Sequence, residues 1–82
     1  MIKVVKPVSF SREQELANAI ITQAAEDYRD ALRMLKQNPS YKEALQMKSE
    51  CEQFFGSDWY LMLTKADPEL IMMRIRKEVS EE

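Results

Sequence analysis

Cys51 is the chain's only thiol, and a thiolate there could attack an electrophile. That chemistry needs a base and a setting that stabilises negative charge. The chain has no histidine, and Glu50 and Glu52 flank the thiol. Neighbouring acids raise a thiol's pKa, so Cys51 reads as a core residue. The missing histidine also removes His-based acid–base catalysis and the usual imidazole ligands of zinc or iron.

Carboxylates are the next candidates. A metal-dependent nucleotide hydrolase would need several of them turned inward from two helices. Glu26 and Asp30 share a helical face at i,i+4 spacing, whereas Glu50 and Glu52 do not share one, and no second Glu-x-x-Asp repeat accompanies them. The single glycine cannot build a phosphate-cradling loop. These residues predict no enzyme, no cofactor and no metal.

Binding is the remaining chemistry. Phe54, Phe55, Trp59 and Tyr60 form the most distinctive local cluster. Rings at a helix corner seal a small core, with Tyr60 the one expected to be partly exposed. The alternative use is as an anchor, in which Trp59 and Tyr60 hold a partner. Arg74, Arg76 and Lys77 form the densest basic group, and positive charge late in a helix suits its dipole. With Lys3 and Lys6 they could instead contact phosphate or an acidic protein. Net charge is −2, from 12 basic and 14 acidic residues. Nucleic-acid binders draw affinity from basic excess, so a nucleic-acid accessory role is the alternative reading and not the favoured one.

The elements that must position these groups are helical. A length of 82 residues allows one domain with a small core. One glycine and three prolines are too few for the turns of an all-β fold. Residues 1–10 read as an extended arm, because Ile2, Val4 and Val5 favour that backbone and Pro7 forbids a central strand. Residues 11–37 read as one long helix opened by a capping box from Ser11 to Gln14. Ala17, Ile21, Ala24, Tyr28, Ala31 and Leu35 form a heptad seam along it. Such a helix is roughly 38 Å long, more than a second helix can cover, so the seam is a candidate self-association face. The opposite face, Glu26 to Lys36, reads as solvated.

Asn38-Pro39 should end this helix, and Ser40 to Glu43 reads as a second capping box. A second helix over residues 40–55 would close with Gly56 in the left-handed conformation. The short link makes the two helices an antiparallel hairpin. Ser57 should cap a short helix over 57–66, apolar on most sides and wedged between other elements. Asp67-Pro68 should open a last helix over 67–79, with Leu70, Ile71, Met72, Met73, Ile75 and Val79 on its buried face. The fold class is all-α: a helical hairpin followed by two shorter helices.

The segment Phe54-Phe55-Gly56-Ser57-Asp58-Trp59-Tyr60 continues through Leu63-Thr64, Asp67-Pro68-Glu69 and Ile71 to Arg74–Lys77. With Tyr28-Arg29 and Asn38-Pro39, it resembles small uncharacterised helical proteins encoded by phages and prophages of Gram-positive bacteria. The resemblance covers residues 24–79. The group carries arginine at the position of Gly56 and phenylalanine at that of Tyr60. It implies a phage-accessory setting and brings no catalytic residues. The expectation is a cytoplasmic, non-catalytic module with a protein partner, a homodimer through the heptad seam, and no membrane span.

Overall fold

The computed structural model describes residues 12–82. The expected arm over 1–10, the Ser11 cap, Lys3 and Lys6 lie outside the described residues. The described residues form α1 (Arg12–Gln37), α2 (Lys42–Phe55), α3 (Asp58–Leu63) and α4 (Pro68–Ser80), with no strand among them. The all-α class, a helical hairpin followed by two shorter helices, is what the structure shows.

Each break in the helices has a local cause. Proline disfavours the helical conformation in the residue before it, so α1 stops ahead of Asn38-Pro39. The Asn38 N–H still donates to the Met34 carbonyl at 2.9 Å. The Asn38 carboxamide oxygen then accepts from both the N–H and the hydroxyl of Ser40, at 3.3 and 3.2 Å. The second capping box does not form, because Ser40 stands one residue before the N-cap position and makes no bond to the N–H groups of α2. Tyr41 stands at the N-cap instead, with no side-chain cap, and α2 starts at Lys42.

Gly56 also departs from expectation. Its φ is −95° and its ψ 5°, outside the left-handed region. The turn is closed by backbone instead: Gly56 N–H donates to the Glu52 carbonyl and Ser57 N–H to that of Phe54, both at 3.1 Å. Ser57 is already extended and serves as the N-cap of α3, accepting from the Tyr60 N–H at 3.1 Å. α3 ends at Leu63, earlier than expected, because Thr64 turns extended and its hydroxyl accepts from the Ala66 N–H at 3.2 Å. Asp67 caps α4 by accepting from the Glu69 N–H at 3.0 Å, and Pro68 occupies the first turn.

α2 folds back antiparallel along the C-terminal part of α1. Ala31 of α1 and Ala44 of α2 are both fully buried, and such small side chains let helices approach closely. α4 returns beside α1 in the parallel sense, since Arg29 pairs with Glu78 and Arg33 with Glu82 in step along the two helices. Lys36 donates to the Val79 carbonyl at 2.6 Å and to that of Glu82 at 3.0 Å, which places a cation at the end of α4. The charged face of α1, expected to be solvated, thus uses Arg29, Arg33 and Lys36 to hold α4.

The core is one cluster of Tyr28, Cys51, Phe55, Tyr60, Met72, Ile75 and Val79. On α1 the side chains packed on it run from Ile21 to Leu32. The first turns of α1 run past this cluster, where Leu16 is 63% exposed. The radius of gyration, 15.6 Å, exceeds the roughly 12 Å of a compact chain of this length.

At Gly56 the nearest non-neighbour atom to an added Cβ is the Glu52 carbonyl oxygen, at 3.5 Å. Gly56→Ala should therefore stabilise the chain by about 0.4–1 kcal/mol, by narrowing the unfolded ensemble. Urea unfolding followed by circular dichroism checks the sign, and destabilisation would show that the turn needs glycine.

Candidate functional site

The polar centre of the molecule is the Tyr28 hydroxyl. It donates to Glu52 Oε2 at 2.8 Å and accepts from Arg76 Nε at 3.0 Å. Lys48 Nζ reaches the same Glu52 oxygen at 3.1 Å. One hydroxyl so joins α1, α2 and α4. Burial raises the Tyr28 pKa, Glu52 raises it further, and Arg76 opposes both. Burial alone would raise the Glu52 carboxyl as well, but the Tyr28 hydroxyl and Lys48 outweigh it and hold the group below its usual range. Among the described residues no buried side-chain nitrogen or oxygen lacks a hydrogen-bond partner.

This centre accounts for several sequence candidates. Tyr28 and Ala31 of the heptad seam are fully buried, and Ile21 and Ala24 pack on the core. Tyr28 and Ala31 face the chain's own helices, which corrects their assignment to self-association, while Ile21 and Ala24 are only partly covered. Ala17 is buried outside the cluster, and Leu35 lines a groove beside α4. Arg76 gives its Nε to the Tyr28 hydroxyl but stays exposed, as Arg74 and Lys77 do.

Cys51 lies inside the core cluster. Burial, then the nearby Asp27, Glu50 and Glu52 carboxylates, pushes its thiol up to about 11. Of the acids weighed for a metal site, Glu26, Asp30 and Glu50 are exposed, and Glu52 is held by Tyr28 and Lys48. Among the described residues no three Cys, Asp or Glu side chains gather as a metal site would require.

The aromatic cluster splits by role. Phe54 packs edge-on against Trp59 at 5.4 Å and Tyr60 at 5.7 Å between ring centres, and Phe55 meets Tyr60 at 5.6 Å. Tyr60 is completely buried, against the expectation of partial exposure and of a partner-binding role. Its hydroxyl stays inside because the Ala66 carbonyl accepts from it at 3.0 Å. Trp59 points the other way and is 54% exposed.

Trp59 has exposed apolar company that sequence reading missed. Leu61 and Met62 of α3 are exposed, Met62 by 84%, so α3 is not wedged between other elements. Leu70 and Met73 of α4 are exposed too, and both had been expected on the buried face. The signal was present in the periodicity: Met72, Ile75 and Val79 define the core side of α4, and Leu70 and Met73 fall away from it. Trp59 and Met62, at i,i+3, share a side of α3. Trp59, Leu61 and Met62 belong to α3 and Leu70 and Met73 to the first turns of α4, and the two helices do not pack on each other.

Comparison with protein-family models, with curated proteins and with solved structures finds no match for the chain.

Two outcomes follow from the buried groups. The Tyr28→Phe variant removes an acceptor from Arg76 and a donor from Glu52, both of which water can reach, so it should lose about 0.5–1.5 kcal/mol of stability. Urea denaturation measures it; an unchanged midpoint would remove the hydroxyl from its central place. Cys51 should react with a thiol reagent at pH 8 about two orders of magnitude more slowly in the native chain than in urea. Comparable rates would show an open thiol.

Proposed function

We propose that the chain is a non-catalytic helical module that binds another protein through the exposed apolar side chains of α3, Trp59 and Met62 first, with those at the start of α4 as a second apolar stretch. The observation that carries this reading is the exposure of Trp59, Leu61, Met62, Leu70 and Met73 on neighbouring segments of so small a chain. Large exposed apolar patches mark interaction sites. Tryptophan is the commonest kind of anchor, and methionine adapts to an irregular surface. Arg74 and Lys77, exposed on the same helix, supply a cationic rim. Among the described residues no helix is long and apolar enough to cross a membrane.

The resemblance in the segment from Phe54 to Lys77 extends the reading to a phage or mobile-element protein. In that setting it acts in the cytoplasm, where it inhibits or modulates a host or defence protein.

The test is capture from a bacterial host lysate on the tagged chain, with and without nuclease, beside Met62→Asp. Met62 is too exposed to support the fold, so the variant should keep its helical circular dichroism. A dominant protein that survives nuclease, and that the variant retains about thirtyfold less, is the expected result for a residue at an interface centre. Recovery of nucleic acid alone, or equal capture by the variant, would contradict the reading.

A further inference from the structure

A second surface stands apart from the apolar side chains of α3. α2 and α4 meet through Cys51, Phe55, Met72 and Ile75 in the core cluster. Beside that cluster lies a groove of about 390 Å³, floored by Leu32 and Leu35 of α1. Lys48 of α2 forms one wall and Val79 with Ser80 of α4 the other, while Lys36 and Arg76 complete the rim. Its ionisable lining residues, Lys36, Lys48 and Arg76, are all cations over an aliphatic floor. Their present partners leave donor capacity. Arg76 gives its Nε to Tyr28, one of the five donors of a guanidinium. Lys48 is paired with Glu52 at a partly exposed position, Arg76 also faces Glu52 and Glu69, and Lys36 donates to the Val79 carbonyl in α4 and to that of Glu82 beyond it.

We propose that this groove docks an acidic amphipathic helix of a partner protein. Its leucine or isoleucine side chains settle on Leu32, Leu35 and Val79, and its glutamates or aspartates lie against Lys48 and Arg76. α1, α2 and α4 then act as three members of a bundle whose fourth is supplied from outside. The charge pattern chooses the occupant: an acidic helix gains ion pairs along the rim, whereas a basic helix meets like charge there. This surface shares no residue with α3, so either can fail without the other.

The probe is a fluorescein-labelled peptide of about four heptads with leucine at a and d and glutamate at e and g; its control carries lysine at e and g. Both are titrated by anisotropy against the full 82-residue chain. The glutamate peptide should bind about tenfold or more tighter than the lysine peptide, and added salt should weaken it. Lys48→Glu should weaken it severalfold, while Met62→Asp leaves it unchanged. Ser80→Glu, at an exposed rim position, makes the same test if Lys48→Glu loses its helical circular dichroism. Equal binding of the two peptides, no binding of the glutamate peptide at low salt, or loss in Met62→Asp alone would overturn the proposal. So would a dimer in sedimentation that blocks the peptide and disappears in Lys48→Glu, because a second copy would then be the occupant.

Discussion

The structure depends on one buried hydroxyl. The Tyr28 ring is completely enclosed, packed near Phe55, and its oxygen bridges Glu52 on α2 to Arg76 on α4. A chain this small buries little apolar area, so a central polar link that is fully satisfied has a large share in choosing a single arrangement. The link works because every member has a partner: Glu52 also takes Lys48, and burial of the carboxylate is outweighed by these donors. The exposed pairs Arg29–Glu78 and Arg33–Glu82 align α4 along α1, but contacts so open to water contribute little stability alone.

Much of the fold was legible in the sequence because helix ends are written in local chemistry. Ser57, Asp67 and Pro68 act where they were read, and Asn38-Pro39 stops α1. Legibility fails where two local signals compete. Ser40 had the spacing of a capping box, yet α2 starts one residue later, at Lys42 behind Tyr41, and the Ser40 hydroxyl donates to Asn38 instead. Gly56 had the position of a left-handed cap, yet Ser57 must start α3 at once, and the turn closes without one.

The candidate surfaces were legible only in part, for a different reason. Composition shows that Trp59, Met62, Leu70 and Met73 are apolar, but exposure depends on which side of each helix the core claims. Tyr60 illustrates the point: its hydroxyl could have reached water, and the Ala66 carbonyl brings it inside instead. Arg76 likewise looked like part of a basic run, and only the meeting of three helices at Tyr28 gives this exposed side chain a hydroxyl partner. The heptad seam of α1 was real as a pattern. Its partner over Tyr28 and Ala31 is the chain itself.

What remains exposed is the apolar side chains of α3 and a groove beside α1 rimmed by Lys36, Lys48 and Arg76. The claim that the α3 side chains are open in the free chain has a direct test, because Trp59 is the only tryptophan. Its fluorescence, measured with iodide as quencher over a range of protein concentration, reports α3 alone. The account predicts red-shifted emission, ready quenching and no change with concentration. Blue-shifted emission shielded from iodide would show that α3 is already covered, by the chain's own residues or by a second copy, and would contradict it.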